Sequence, residues 1–118
     1  MFKRVIIIVR KDLGMACGKI AGQVAHAAII AMERTSRYNP NWVTDWKDED
    51  GQIKFVLKVN SYNELNDYFI DTTNARLPVV KVHDAGKTKI EPNTVTCIGI
   101  DPVSAERIDS IVKDLNLL

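Results

Sequence analysis

The sequence has little of several features that would mark a specialised class of protein. It contains only two cysteines among 118 residues, too few for a disulfide framework, so a reducing, cytoplasmic location is expected. Its first apolar run, residues 5–9, is too short for a membrane span or for the hydrophobic core of a signal peptide. Neither sign of charge dominates, because the formal net charge is +1. A nucleic-acid partner would therefore need a local basic patch.

What remains is the composition of an ordinary globular protein, with 46% hydrophobic and 26% charged residues. The length predicts one domain, residues 1–118, with a single core. Apolar periodicity and capping signals predict strands at residues 3–10, 52–59, 79–82 and 94–100, and helices at 18–35, 40–47, 62–74 and 105–115. This order predicts an α/β fold whose mainly parallel sheet is covered on both faces, with one antiparallel neighbour allowed after the third strand.

The most informative stretch is residues 14–26, GMACGKIAGQVAH, which joins the first strand to the first helix. A strand, a glycine-bearing turn and a helix N-terminus can form an anion site, because free N–H groups and the helix dipole point the same way. At about 100° per residue, Lys19, Gln23 and His26 form one narrow polar stripe. The helix is otherwise almost entirely apolar, which predicts that it is buried. The stripe is either the solvated side of a partly exposed helix or part of a site.

The same stretch is not a phosphate-binding P-loop. Three residues, rather than four, separate Gly14 from Gly18, and Ile20 stands where a hydroxyl residue would hold magnesium. Nucleotide hydrolysis is therefore not expected. Small residues on this helix would also allow a second helix to approach closely, so a dimer seam is a further interpretation: Ala21, Gly22 and Ala25.

A second polar cluster follows the third strand. The loop at residues 84–93 begins DAGKTK, which brings a carboxylate, a hydroxyl and two cations together, and Thr94 and Thr96 follow. The alternative is a purely structural role, as a turn followed by residues of high β-propensity. If the first and third strands run in the same direction, this loop and residues 14–19 meet at one edge of the sheet, where such folds bind ligands.

Trp42 and Trp46 lie one turn apart in the predicted helix at residues 40–47, on one face. They are interpreted as packing residues. The alternative is a stacking platform for a base.

Four segments together resemble a known family. They are KRVIIIVRKDLGM at residues 3–15, GKIAGQVAHA at 18–27, DAGKT at 84–88 and PNTVT at 92–96. In this order and spacing they resemble the archaeal and eukaryotic-type peptidyl-tRNA hydrolases, over residues 3–118. The resemblance implies hydrolysis of the ester between a peptide and the 3′ ribose of tRNA. It also implies a small α/β fold with a four-stranded mixed sheet and helices on both faces, no metal or other cofactor, no membrane, and a homodimer.

By motif position, the resemblance implies functional roles for residues of both polar clusters: Lys19, Gln23, His26, Asp84, Thr88, Thr94 and Thr96. The sequence departs from the family pattern at three positions. Cys17 stands where a second lysine is common, Lys89 where Gln or Glu is usual, and Asp101 where glycine is usual.

Ester hydrolysis needs an activated water and groups that hold the developing oxyanion. A carboxylate is a weak base at neutral pH, so Asp84 is predicted to position the water while Lys19 stabilises charge. With hydroxyls that hold hydrogen bonds, the predicted catalytic set is Lys19, Asp84, Thr88 and Thr96. The predicted substrate-binding set is Gly18, Gln23, His26, Lys11, Lys87 and Thr94. His26 is placed there because it lies almost two turns from the helix N-terminus.

The alternative function is a non-catalytic module that binds RNA ends or another protein, with lysines as phosphate contacts. Asp84 separates the two functions, because a pure RNA binder has no use for a carboxylate beside a phosphate. Cys17, although at a helix N-terminus, is interpreted as a bystander, and Cys97 as a core residue. The histidines and cysteines lack the short spacing of a zinc site, so no metal is expected.

Overall fold

The structure is a computed structural model that describes residues 3–85 and 90–118. Its strands are β1 Lys3–Arg10, β2 Lys54–Val59, β3 Val79–His83 and β4 Val95–Ser104, in the sheet order β2-β1-β4-β3. Its helices are α1 Cys17–Tyr38, α2 Pro40–Thr44, α3 Tyr62–Asn74 and α4 Ala105–Val112; α2 continues into a π-helical turn, Asp45–Glu49. The predicted α/β class with a four-stranded mixed sheet is confirmed.

The strand directions decide where polar residues can meet. β1 pairs with β2 in parallel and with β4 antiparallel, and β4 pairs antiparallel with β3. Three strands therefore point the same way, and β4 runs against them between β1 and β3. The prediction of a mainly parallel sheet with one antiparallel neighbour is therefore wrong for the pairing, since two of the three ladders are antiparallel. The C-terminal ends of β1 and β3 lie at the same edge, where ligands bind in such sheets.

Helices cover both faces of the sheet, as predicted. Alternate residues of β1 enter two cores, which explains its nearly continuous apolar run. On one face, α1 packs over Val5, Ile7 and Val9 of β1. On the other face, α3 and α4 contribute to a larger core, which includes Ile6, Ile8, Leu65, Ile98, Ile100, Ile108 and Val112. Among the described residues, no helix is apolar over a length that could cross a membrane.

The first helix differs from its prediction in length and burial. It runs on to Tyr38, because the chain remains helical until the Asn39-Pro40 pair, where proline disfavours a helical conformation in the residue before it. It is buried along only one side, at Ala27, Ala31 and Thr35. The opposite side is open to solvent, and Ile29 is 52% exposed. The burial expected from its apolar composition therefore holds for one side of α1 only, because the helix packs on the sheet with that side and faces solvent with the other.

Strand β4 is longer than predicted. The sequence predicts an end at residue 100, but the strand continues through Pro102 to Ser104. The β1–β4 register shifts between Arg4 and Ile6, so β4 has an extra residue there. A bulge is one of the few places where a sheet tolerates proline, which cannot donate to the ladder. The last helix ends at Val112 rather than at residue 115.

Trp46 is a packing residue, as predicted, but the two tryptophans do not lie on one face of a helix. Trp46 is buried beneath α1, and its indole N–H donates to the carbonyl of Ile53 at 2.9 Å. Trp42 is half-buried and packs against the core on the other face of the sheet. The α-helical spacing assumed for the pair is interrupted by the π-helical turn that begins at Asp45.

Asp101 is a buried carboxylate at the end of the molecule opposite the C-terminal edge of β1. The hydroxyl of Tyr38 donates to its Oδ2 at 2.5 Å, while Oδ1 has no hydrogen-bond partner among the described residues. Burial raises the pKa of Asp101, and the nearby Tyr38, Thr35 and Arg34 offset this only in part. Burial and the same carboxylate raise the pKa of Tyr38 to about 12. The charged form of Asp101 is therefore a cost to the fold.

We expect Asp101→Asn to be more stable than the wild type at neutral pH. The folded state holds the Asp101 proton more tightly than the unfolded chain does, so stability falls as the pH rises from the ordinary Asp pKa through the raised folded value. Asparagine keeps an oxygen acceptor for Tyr38 and has no charge to desolvate, so it gains on the order of 1 kcal/mol. Urea unfolding at several pH values measures this, with the exposed Asp67→Asn as control. An unchanged pH profile in Asp101→Asn would contradict it.

Candidate active site

The centre of the site is an ion pair between α1 and the residue that follows β3. The Lys19 ammonium donates to Oδ1 of Asp84. The Asp84 side chain is completely buried, whereas that of Lys19 is 22% exposed. The backbone of Asp84 is also fixed, since its N–H donates to the Thr94 carbonyl at 2.8 Å and its carbonyl accepts from the N–H of Asn93 at 3.0 Å. Lys19 is therefore the member of the pair that a ligand reaches first.

The chain turns from β1 into α1 at a glycine. Gly14 has a φ of +63°, which L-residues rarely adopt, and its N–H donates to the Lys11 carbonyl at 3.2 Å. The helix N-cap is Ala16, whose methyl group cannot accept a hydrogen bond. The first-turn N–H groups, including those of Gly18 and Lys19, have no acceptor within the helix. They add the positive end of the helix dipole to the Lys19 charge.

A second contact ties α1 to the sheet beside the ion pair. The Gln23 amide donates to Oγ1 of Thr96 at 2.6 Å, and Oγ1 lies 3.3 Å from the Val82 carbonyl, to which it donates. Thr96 is buried and sits where the β3–β4 register skips one residue of β4. Bulges commonly redirect a side chain next to a site. Thr96 is thereby held between β3 and α1.

Around these contacts lies an open groove of about 400 Å³. Its lining comes from the first turns of α1 and from the end of β3: Gly18, Lys19, Gly22, Gln23, His26, His83 and Ala85. Both histidines are exposed. His83 is not among the site residues predicted from the sequence. It could have been predicted from its position immediately before Asp84, at the C-terminal end of a strand, where such sheets bind ligands.

Not all the predicted residues lie in this groove. Lys11 is exposed and lines a separate groove of about 650 Å³, mostly apolar, between α1 and the C-terminal residues Leu117 and Leu118. Thr94 contributes through its carbonyl, which accepts from Asp84. Strand β4 begins one residue after it, at Val95. Thr88 and Lys87 lie outside the described residues, so their roles, like that of Lys11, stay predictions.

The cysteines have separate environments. Cys97 is buried between β4 and α1, and burial raises the pKa of its thiol to about 11, so it remains protonated at neutral pH. This agrees with its interpretation as a core residue. Cys17 is exposed at the start of α1. Within residues 3–85 and 90–118, no three His, Cys, Asp or Glu side chains come together as metal ligands.

We expect Thr96→Val to lower the free energy of unfolding by about 1–3 kcal/mol, because the nearly isosteric side chain removes a buried hydroxyl that accepts from the partly buried Gln23 amide and donates to the Val82 carbonyl. Thr96→Ser is the matched control, since it keeps the hydroxyl and loses only a methyl group, a cost of about 0.8 kcal/mol. Urea denaturation of the three proteins tests this. Equal losses for valine and serine would show that the hydroxyl contributes nothing.

Comparison with known proteins identifies the family. The profile of the family described as peptidyl-tRNA hydrolase PTH2 matches residues 3–118. A protein of Sulfurisphaera tokodaii named peptidyl-tRNA hydrolase is 45% identical over 122 residues, covering the whole of both chains. Proteins of the same name from Methanococcus vannielii and Thermoplasma acidophilum are 44% and 42% identical, covering 95% or more of each chain. The chain therefore belongs to the peptidyl-tRNA hydrolase PTH2 family.

Proposed function

We propose that this protein hydrolyses the ester bond between a peptide and the 3′ ribose of tRNA, and so returns the tRNA to translation in the cytoplasm. The observation that carries the proposal is the Lys19–Asp84 ion pair at an open groove, in a chain of this family. The ester carbonyl is the part of the substrate that must reach the groove. Of the two side chains of the pair, that of Lys19 has exposed surface and that of Asp84 has none.

The burial of Asp84 refines the role that the sequence suggested for it. A carboxylate with no exposed side-chain surface cannot hold a water in this state, so its first role is to fix the Lys19 ammonium. Asp84 then orients a water only after the side chains around it move on substrate binding. In this mechanism Lys19 stabilises the negative charge that develops on the ester oxygen, helped by the N–H groups at the start of α1.

The reaction needs no covalent bond between the protein and the peptide. The oxygen of a water adds to the ester carbonyl carbon, the bond to the ribose 3′ oxygen breaks, and that oxygen takes a proton as the peptide acid leaves. Gln23, held by Thr96, forms part of the groove wall and helps to place the ester near Lys19. His26 and His83 lie in the same lining, and we assign them to contacts with the acceptor end of the tRNA.

The test is release of N-acetyl-amino acid from N-acetylated aminoacyl-tRNA by the wild-type protein, with a chelator present throughout. Release above the spontaneous rate supports the hydrolase and shows that it needs no exchangeable metal. Release that occurs only in a parallel reaction without the chelator would contradict the metal-free mechanism. Binding of the tRNA without release would overturn the hydrolase and favour the RNA-binding module.

We also propose that the protein is a homodimer. The support is the solvent side of α1, where small residues and a 52% exposed Ile29 would allow a second helix to approach closely. This side of the helix lies next to the groove, so a partner chain there would extend the wall that the tRNA meets. Measuring the molar mass by light scattering across a range of concentrations distinguishes a dimer from a monomer.

A further inference from the structure

We infer that Gly99 is a positioning residue for the reaction: it lets α1 lie close enough to β4 for Lys19 and Gln23 to meet Asp84 and Thr96. The inference rests on the proposed hydrolase function. Gly99 is in the interior of a central strand, where glycine weakens a sheet unless something must approach its backbone closely. It lies about two turns of α1 away from the ion pair and does not line the groove.

Contacts at three levels connect α1 to β4. Near the site, Gln23 donates to Thr96. At the far end, Tyr38 donates to Asp101. Between them, Gly99 faces Ala27. Because glycine has no side chain, the helix can lie close to the strand at this position, and this contact sets the distance between α1 and β4.

The space at Gly99 is tight for a methyl group. A Cβ on this residue would lie 3.1 Å from the carbonyl oxygen of Ala27 and 3.2 Å from its Cβ. Carbon atoms in ordinary contact are about 3.5–4.0 Å apart. One of the two contacts is with helix backbone, which cannot rotate away as a side chain could. An alanine at position 99 must therefore push α1 outward by a few tenths of an ångström.

Such a shift of α1 would also move the site residues that the helix carries. Ala27 is one turn after Gln23 and about two turns after Lys19 on the same rigid helix. The Gln23–Thr96 hydrogen bond, 2.6 Å long, would lengthen. The N–H groups and the ammonium at the start of α1 would move relative to Asp84. Catalysis by prearranged groups is sensitive to displacements of this size.

The test is a double-mutant cycle on kcat with Gly99→Ala and Thr96→Val. We expect Gly99→Ala to lower kcat by about 3–10-fold with little change in KM, since a 1 Å misplacement can cost about 100-fold. In the Thr96→Val background the Gln23 contact is already lost and only the displacement of Lys19 remains, so the same substitution should lower kcat by a smaller factor than it does in the wild type. Losses that multiply in the double variant would overturn the inference.

A control and a second variant separate positioning from stability. Ile100→Val, on the opposite face of the same strand, should lower the midpoint of urea unfolding and keep its kcat. If Gly99→Ala does not fold, Ala27→Val enlarges the same contact from the helix side and should reproduce the kcat defect. A kcat defect in Ile100→Val equal to that in the contact variants would also overturn the inference. Absence of release by the wild type would instead reject the hydrolase function.

Discussion

Asp84→Asn is expected to lower kcat for release of N-acetyl-amino acid by about 100-fold or more, the size of effect seen when one prearranged electrostatic group is removed. Asparagine has nearly the same shape but no charge, so Lys19 loses the partner that fixes its ammonium. Any water that the carboxylate orients is lost at the same time. Binding of the tRNA should be retained, because Asp84 has no exposed side-chain surface for the tRNA to contact.

The measurement is kcat and KM for wild type, Asp84→Asn and the control Asp67→Asn, which removes an exposed carboxylate from α3. Binding is followed separately with deacylated tRNA. If Asp84→Asn and the wild type release product at the same rate, Asp84 has no part in the chemistry. The exposed His26 in the groove would then be the next candidate. Tighter tRNA binding with no release by either protein would favour the binding module.

The parts of the fold that local patterns determine could be predicted. The buried strand β1 is a run of residues that suit both faces of a covered sheet. The start of α3 is a capping box, in which the Ser61 hydroxyl accepts from the N–H of Glu64 at 3.0 Å. The sequence predicted that β1 and β3 end at the same edge of the sheet only on the condition that both strands run in the same direction. This is why Lys19 and Asp84, 65 residues apart, could be expected to meet if β1 and β3 run in the same direction.

The features that could not be predicted depend on tertiary contacts. Proline usually ends a strand, so Pro102 predicts the end of β4, but a bulge allows the strand to continue past it. The burial of Asp84 depends on packing around it, and no local pattern distinguishes a buried carboxylate from an exposed one in a polar loop. The closeness of Gly99 to Ala27 is also invisible in sequence, because the two residues are on separate elements. These are the features that decide how the site is held together.

Lys19→Met is expected to lower the free energy of unfolding by about 3 kcal/mol at neutral pH, because it removes the Lys19 ammonium that compensates the buried Asp84 charge. The double variant Lys19→Met/Asp84→Asn should recover much of that loss, since it removes the charge as well. Urea unfolding of the four proteins of this cycle gives the interaction energy. The exposed Lys47→Met is the control for losing a lysine.

The same cycle tests catalysis. If Asp84 acts mainly by holding Lys19, each single variant should lose nearly as much kcat as the double variant, because the pair works as a unit. If Asp84 also acts on the water independently of Lys19, the losses should multiply. A stable Lys19→Met with an undiminished kcat would contradict both roles, and it would mean that the ion pair at the groove is a surface feature of the fold. The burial of Asp84 argues against that outcome, because a fold rarely retains a buried carboxylate without a compensating partner.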